Sequence, residues 1–317
     1  LNIKSHILKS YDDLLSNSSK KLFRIKAIEE DNQGNIWVGT GENGIYVINV
    51  KQNKIVKHIK TNELRFIKKD YEGNIWFPMG FDLKKYNPKV GKLTTYTLGT
   101  YISAFVEDLE RNCFWLGTIN KVKEHHIIKF DKTSKTHTAI NTGIASWFTS
   151  SLLLDKDNFL WIGTFGQGLY LSNSKITGFK RLDLFHHNSL KTTDSYTSIL
   201  DIHEDKDGVI WISAGIKGVI TLKQSIGFHN LNSVVNNPEL KIDSNILSIF
   251  GDKEHIYLGT LGKGVFKGKD LSSLKHIKNT NGNIIQAIGK HNDHILIGQD
   301  ENVLFLNKKG NTKFTLD

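Results

Sequence analysis

Two short motifs in the sequence have residue types and spacings that could carry out chemistry. GTGENG at 39–44 has the G-x-G-x-x-G spacing of a dinucleotide-binding loop, in which glycines let the backbone approach a pyrophosphate. Asp201, His203 and Asp205 alternate onto one side of a predicted strand, where they could act in acid–base chemistry or hold a metal ion. Both interpretations depend on the elements that position these residues.

The residues that follow GTGENG argue against a nucleotide site. A dinucleotide fingerprint needs a helix after it, whereas GIYVINV at 44–50 alternates like a strand. The corresponding stretches GTFGQG at 163–168 and GTLGKG at 259–264 lose the fingerprint spacing but keep the turn. We therefore predict that residues 39–44 form a hairpin turn between two strands, and we expect no cofactor.

The stretch around this turn belongs to a unit that recurs along the chain. GNIWVGT at 34–40 is echoed by NFLWIGT at 158–164 and by related stretches at intervals of 39 to 50 residues. One large apolar residue, called the anchor here, marks each unit. The anchors are Trp37, Trp76, Trp115, Trp161, Trp211, Tyr257 and Leu296. The chain is therefore a tandem array of seven units.

Each unit is predicted to contain four short antiparallel strands. In the first unit the candidate strands are 24–31, 35–40, 44–50 and 54–60, separated by turns rich in Gly, Asn and Asp. No unit contains a 3.6-residue apolar period long enough to form a helix. Units of this kind predict an all-β fold, a seven-bladed β-propeller of four-stranded antiparallel blades that forms one domain over 1–317. The anchor is expected to fill the space between blades, and the Gly-Thr after it to let the chain turn.

The ends of the chain bear on how this propeller closes. IKSHILK at 3–9 and TKFTL at 312–316 each resemble the fourth strand of a blade, which is one more than seven blades require. The N-terminal strand either completes the last blade or belongs to a neighbouring domain. We favour the first alternative, because an open ring would leave unpaired strand edges.

The repeats resemble a known family. The Asp-rich turn, Gly-Asn-Ile-Trp-Val-Gly-Thr and Gly-Ile-Tyr are similar to the two-component regulator propeller repeat, most clearly at 30–49, 154–173 and 204–222. That repeat builds the sensor region of hybrid histidine kinases, best known from gut Bacteroidetes. The resemblance implies a periplasmic or extracellular-facing sensor that takes part in oligosaccharide detection. It also implies that a second propeller, an immunoglobulin-like domain, a membrane span and a kinase belong to the whole receptor, of which this chain would be a fragment or a shortened relative.

Composition and charge exclude several other classes. The chain has 42 Lys and Arg against 32 Asp and Glu, but only four Arg and no run of five basic residues, so we expect no nucleic-acid partner. A binding surface for an acidic glycan remains an alternative. No apolar run approaches the length of a membrane span, and a single cysteine, Cys113, excludes an internal disulfide. Cys113 lies two residues before an anchor and is expected to be a small core residue.

A ligand site is predicted at the mouth of the central channel. Counting back from the anchors places four aromatic residues near the start of an innermost strand. They are Phe23, Tyr101, Trp147 and Tyr196. Aromatic faces stack on sugar rings, and Arg65, His186, His187 and Asn188 are candidate polar partners. The alternative is that these aromatic residues only fill gaps between blades, although Trp147 lies outside the anchor positions.

Signals for catalysis are weak. For Asp201 and His203, a hydrogen-bonded Asp and a satisfied His are favoured over a reactive pair. His291 and His294 lie in a turn without an evident third ligand and are expected to be exposed, so no metal is predicted. We expect a non-catalytic sensor propeller. The alternatives are a protein-interaction scaffold or homodimerising propeller and, third, a polysaccharide lyase or hydrolase.

Overall fold

The computed structural model describes most of the chain from Arg24 onward, and the structural account is confined to that part. The described residues are 24–62, 64–119, 127–146, 148–182, 184, 197–215, 218–223, 227–230, 245–270, 273–280, 282–292, 294–299 and 303–306. The fold is all-β, a seven-bladed β-propeller of four-stranded antiparallel blades, which confirms the prediction from the repeats. Within those ranges the helical residues are confined to 3-10 turns, of which Lys278–Thr280 is described in full. No helix in the described part has the length and apolarity that a membrane span needs.

The strands of each blade pair in sequence order. Blade 1 has β1 (Ile25–Glu30), β2 (Asn35–Thr40), β3 (Ile45–Asn49) and β4 (Lys54–Ile59), and blade 2 has β5 (Lys68–Lys69), β6 (Ile75–Met79), β7 (Asp82–Asn87) and β8 (Lys92–Thr97). Blade 3 has β9 (Tyr101–Asp108), β10 (Cys113–Ile119), β11 (Ile127–Asp131) and β12 (His137–Ile140), and blade 4 has β13 (Thr149–Leu154), β14 (Leu160–Thr164), β15 (Gly168–Ser172) and β16 (Phe179–Leu182). Blade 5 has β17 (Asp201–Glu204), β18 (Ile210–Ser213), β19 (Val219–Lys223) and β20 (Gly227–Asn230), and blade 6 has β21 (Ile246–Gly251), β22 (Ile256–Thr260), β23 (Val265–Gly268) and β24 (Lys275–His276). The described part of blade 7 has β25 (Ala287–His291), β26 (His294–Gly298) and β27 (Val303–Leu306).

The chain divides into two compact units. Unit 1 takes the described residues of 1–95, 259–265 and 277–317, which include blade 1, most of blade 2 and the described part of blade 7. Unit 2 takes those of 96–258 and 266–276, which include blades 3, 4 and 5 and most of blade 6. The single domain over 1–317 stays a prediction. The candidate closing strand at 3–9 and the strand at 312–316 lie outside the described residues.

Within each unit, anchors fill the space between neighbouring blades, as predicted. All seven anchor side chains are buried. In unit 1, Trp37 of blade 1 packs in one cluster with Phe77 of blade 2, and its ring centroid lies 5.1 Å from that of Tyr86. In unit 2, Trp161 of blade 4 packs in the same way with Ile212 of blade 5. Burial of such large side chains at these blade boundaries stabilises the fold.

Each tryptophan anchor is held by an aspartate in the turn before its strand. The pairs are Trp37–Asp31, Trp76–Asp70, Trp115–Asp108, Trp161–Asp155 and Trp211–Asp205, with indole Nε1 to carboxylate Oδ2 distances of 2.7 to 2.9 Å. The second carboxylate oxygen, Oδ1, accepts backbone N–H groups of the turn; in blade 5 these come from Asp207 and Val209, each at 2.9 Å. One carboxylate therefore satisfies both the turn and the buried indole.

Blades 6 and 7 depart from this pairing. In blade 6 the Tyr257 hydroxyl lies 3.4 Å from Asp252 Oδ2, and burial together with this carboxylate raises the pKa of Tyr257 well above its usual range. In blade 7 the anchor is Leu296, which has no donor, and His291 is the residue before the turn where the other blades have aspartate.

The expectation that His291 is exposed was wrong. Its side chain is 7% exposed, and its Nδ1 lies 2.9 Å from Glu30 Oε1 on β1. Its Nε2 lies 3.0 Å from the side-chain amide of Asn292. The residue is buried because β25 lies against β1 within unit 1, where Ile25 of blade 1 packs with Leu296 of blade 7.

The glycine after the anchor has a different role from the one expected. Gly39 lies inside β2, so it does not let the chain turn. A Cβ on Gly39 would lie 2.0 Å from Leu64 Cδ2 of blade 2, and one on Gly163 would lie 2.3 Å from Ser151 Oγ. Glycine is required at these positions because neighbouring side chains occupy the volume of a Cβ.

Residues 39–44 form the predicted hairpin turn. Thr40 Oγ1 donates to Gly44 O at 2.9 Å and accepts the N–H of Asn43 at 3.0 Å. Gly44 has φ +88°, a left-handed conformation that favours glycine, and β3 follows directly. The structure confirms a β-hairpin here, because a strand stands where a dinucleotide fold would require a helix.

Glu29 gives a prediction on pH dependence. This half-buried side chain of β1 accepts the N–H of Lys69 in blade 2 at 3.3 Å, and burial raises its pKa in spite of the nearby Lys68. A raised pKa in the folded state means that the contribution of Glu29 to stability is present below its unfolded pKa, about 4.3, and is lost as pH rises through the folded value. We expect the free energy of unfolding of Glu29→Gln, relative to that of the unchanged protein, to increase between pH 4 and pH 7. Urea denaturation at both values measures this, and a constant difference would contradict it.

Candidate functional site

The structure describes two of the predicted ligand-binding residues. Tyr101 is the first residue of β9 and is 40% exposed, and Arg65 is exposed in the segment before β5. They belong to different units. The other candidates lie outside the described residues: Phe23, Trp147, Tyr196, His186, His187 and Asn188. For these the site assignment stays a prediction.

Tyr101 belongs to a group of apolar side chains at one end of blades 3 and 4. Ile119, at the end of β10, pairs with Tyr101 and forms a bridge with Phe148. The Phe148 ring centroid lies 6.1 Å from that of Phe165, whose side chain is 44% exposed in the turn after β14. We call Tyr101, Phe148 and Phe165, together with Ile119, the aromatic cluster. Phe148 and Phe165 were not named from the sequence, although the position of Phe165, four residues after an anchor, could have indicated it.

Backbone hydrogen bonds fix the geometry of the aromatic cluster. The Phe165 N–H donates to Phe148 O at 3.0 Å. The Ser146 hydroxyl oxygen lies 3.1 Å from Phe148 O and 3.2 Å from Phe165 O. The Ser146 side chain is buried, so the rings stand on a rigid base. Phe165, the exposed ring of this pair, can therefore stack on a flat apolar surface with little loss of conformational entropy.

A second row of side chains comes from bulges in the innermost strands. The β1–β2 register shifts between Ile25 and Ala27, and the β13–β14 register shifts between Thr149 and Ser151. The residue inside each bulge is Lys26 in blade 1, Ser103 in blade 3 and Ser150 in blade 4. A bulge re-aims the side chain of its extra residue, and these side chains reach the neighbouring blade.

The bulge residues differ in chemistry between the two units. In unit 2, Ser103 Oγ donates to Thr149 O at 2.6 Å, and Ser150 Oγ donates to Ile199 O. In unit 1, Lys26 Nζ donates to the side-chain oxygen of Gln286. Arg65 stands eleven residues before its anchor, as Lys26 does. Counting back eleven residues from the anchor finds Lys26, Arg65 and Ser150, but in blade 3 it finds Ala104 and misses Ser103, so the count alone does not define this row.

The candidate acid–base group is occupied by structural hydrogen bonds. Asp201 Oδ2 accepts the N–H of Ile249 in blade 6 at 2.8 Å, and the Asp205 carboxylate holds its turn and Trp211. His203 packs so closely on blade 6 that a Cβ on Gly251 would lie 2.3 Å from its Nε2. Within the described ranges, no group of three His, Cys, Asp or Glu side chains could hold a metal ion. The interpretation of Asp201 as a hydrogen-bonded structural residue is confirmed.

Cys113 gives a prediction on reactivity. Its side chain is fully buried on β10, and burial, together with the nearby Asp108, raises the pKa of the thiol to about 12. Since the thiolate is the reactive form, we expect no reaction of the folded protein with a chromogenic thiol reagent at pH 8. One thiol per chain should appear after unfolding in guanidinium chloride. Rapid reaction of the folded protein would contradict this core placement.

Comparison with known proteins agrees with the resemblance seen in the sequence. The family model described as two component regulator propeller matches residues 24–42 and 143–166. These segments contain the first anchor region, GNIWVGT, and the residues of blade 4 that include Phe148 and Phe165. No curated protein matches the sequence.

Solved structures share the fold at low sequence identity. Two crystal structures of the extracellular domain of BT4673 from B. thetaiotaomicron, described as a one-component and as a hybrid two-component system, are 18% and 17% identical, with TM-scores of 0.69 and 0.67. They match over 90% of this chain, which spans only 38% and 40% of their length. Virginiamycin B lyase from Staphylococcus aureus is 14% identical over 90% of this chain and 94% of the lyase, with a TM-score of 0.67. The chain is therefore a seven-bladed propeller in which two segments match the two-component regulator propeller repeat.

Proposed function

We propose that this chain is the sensor propeller of a two-component receptor, that it faces the periplasm or the extracellular space, and that it contributes to oligosaccharide detection without catalysis. The two-component regulator propeller match at 24–42 and 143–166 supports the receptor assignment. The extracellular domains of BT4673 support the location, because part of each has the same fold as this chain.

The aromatic cluster is the observation that carries the binding proposal. Tyr101 exposes its ring at the start of the innermost strand β9, and Phe165 exposes its ring in the turn after β14, where its centroid lies 6.1 Å from that of Phe148. Saccharides present flat C–H faces to such rings, and nearby hydroxyl and amide groups give them orientation. A ligand held there changes the receptor only if it binds one arrangement of the receptor more tightly than another.

The test is calorimetric titration of the purified chain with a panel of neutral and acidic oligosaccharides. Tyr101→Ala, Phe165→Ala and Trp147→Ala are the site variants. Tyr71→Ala is the matched control, because Tyr71 is 80% exposed in the turn between β5 and β6, at the other end of its blade from the hairpin turns after the anchors.

We expect saturable binding that weakens at least about tenfold in the site variants and is unchanged in the control, as expected for loss of a stacked ring. Equal loss in Tyr71→Ala would mean that the effect is not local. Absence of binding to every oligosaccharide would overturn the proposal that this propeller contacts the ligand.

An interaction scaffold or a homodimerising propeller is the second candidate. Exposed apolar side chains on the outer strands favour it, namely Val56 on β4 and Leu93 on β8. Sedimentation at increasing protein concentration distinguishes the two, since a dimerising propeller would associate without sugar. A lyase or hydrolase is the third candidate, and product formation during the titration would establish it.

A further inference from the structure

We propose that unit 1 holds a separate subsite for the acidic group of an anionic saccharide. The subsite consists of Arg24, Lys26, Lys60 and Arg65, which we call the cationic mouth. This inference rests on the proposed function, since it names the class of saccharide that the propeller would detect. It concerns different residues from the aromatic cluster of unit 2.

Three of these cations lie beside one hairpin turn. The N–H of Gly41 donates to Arg24 O at 2.8 Å. A Cβ on Gly41 would lie 3.6 Å from Lys26 Cε and 3.8 Å from Arg24 Cβ. A Cβ on Gly44, at the other end of the turn, would lie 3.0 Å from Lys60 Cα. The turn at 41–44 is therefore bordered by Arg24, Lys26 and Lys60.

The chain then carries Arg65 to the same end of blade 1. After Lys60 it continues to Leu64, whose Cδ2 occupies the space beside Gly39 in β2. Arg65 follows directly and is exposed. It has the same position relative to its anchor as Lys26, which is the bulge residue of β1. The bulge directs Lys26 out of the strand ladder and toward the start of blade 7, where it meets Gln286.

The residue types favour an anion over a neutral ligand. Two of the four arginines of the chain are in the cationic mouth. A guanidinium group pairs with a carboxylate or a sulfate through two parallel hydrogen bonds, which a lysine cannot do. Glu42 is exposed in the same turn, and its carboxylate offsets one of the four charges. In unit 2 the equivalent positions hold Ser103 and Ser150, so the charge is specific to unit 1.

The experiment compares a short oligouronate with its carboxyl-reduced neutral counterpart, and both with inorganic sulfate. Arg24→Gln/Arg65→Gln is the test variant. Lys51→Gln/Lys54→Gln is the control, because it removes the same charge from exposed lysines at the opposite end of blade 1. Thermal unfolding of both variants verifies that they are folded.

We expect the oligouronate to bind about tenfold more tightly than the reduced sugar, as a charge-assisted hydrogen bond provides. The test variant should lose this preference, and the control should keep it. Equal affinity for the two sugars, or equal loss in the control, would overturn the inference while leaving oligosaccharide binding intact. If neither sugar binds, the proposed function fails, and saturable sulfate binding then decides the subsite: loss in the test variant alone supports it, and no saturable sulfate binding overturns it.

Discussion

Replacing Asp205 by alanine is expected to lower the free energy of unfolding by about 3 kcal/mol, because a buried donor left without its acceptor costs about 1 to 3 kcal/mol. Asp205 Oδ2 accepts the indole N–H of Trp211 at 2.8 Å, and its Oδ1 accepts the N–H groups of Asp207 and Val209. Trp211 is 2% exposed, so its indole cannot turn to solvent. Asp205→Asn is expected to cost nearly as much, since an amide cannot accept these bonds through both of its polar atoms. Equilibrium urea denaturation, followed by tryptophan fluorescence, measures the change.

Asp207→Ala is the matched control for this prediction. Asp207 lies in the same turn and is exposed. It contacts Asp205 through its backbone N–H, which alanine keeps. We expect a change below about 0.5 kcal/mol. A double-mutant cycle with Trp211→Phe isolates the indole bond: Trp211→Phe should cost about 1 kcal/mol less when Asp205 is already alanine. Equal costs in both backgrounds would show that the indole–carboxylate bond contributes nothing.

The fold could be predicted from the sequence because each blade repeats residue types that have one clear physical role. Trp37 and its equivalents recur at blade spacing, and the boundaries predicted for the second strand, 35–40, are those of β2. Alternation and turn residues then fixed four strands per unit. The same logic separated a hairpin from a nucleotide loop at 39–44, since the residues after it alternate with period two.

The finer roles of repeated residues needed the structure. The aspartate six residues before most tryptophan anchors was assigned only to its turn, because a sequence does not show that the indole donates back to the same carboxylate. Gly39 was assigned to a turn for a related reason: the side chain that fills its Cβ volume, Leu64, comes from the next repeat. His291 was expected to be exposed, but Glu30 from the far end of the chain covers it.

The candidate site was the least predictable part. Aromatic side chains before the innermost strands could be counted from the anchors, and Tyr101 is exposed as expected. The bulge after Ile25 could not be predicted from the sequence, because a bulge adds one residue to a strand without a distinctive residue type. Lys26 therefore carried no signal beyond its charge until the register of β1 was known.

Gly39→Ala is expected to destabilise the protein by about 2 kcal/mol, the typical cost of forcing an extra carbon into a packed core. The new Cβ would lie 2.0 Å from Leu64 Cδ2 and 2.9 Å from Ile67 Cδ1, both from buried side chains of blade 2. Gly39 has an extended backbone that alanine can adopt, so the loss comes from packing and not from backbone strain. Chemical denaturation measures it.

Gly41→Ala, two residues away, is the matched control. Its new Cβ would be 3.6 Å from the nearest side-chain atom, Lys26 Cε, which is ordinary van der Waals contact, so we expect a change below about 0.5 kcal/mol. Leu64→Ala supplies the decisive comparison, because it removes the atom that Gly39→Ala would strike. The loss of stability in the double variant should be smaller, by at least about 1 kcal/mol, than the sum of the losses in the two single variants. Strict additivity would mean that the two blades do not meet at Gly39 and Leu64, and that glycine after the anchor has another cause.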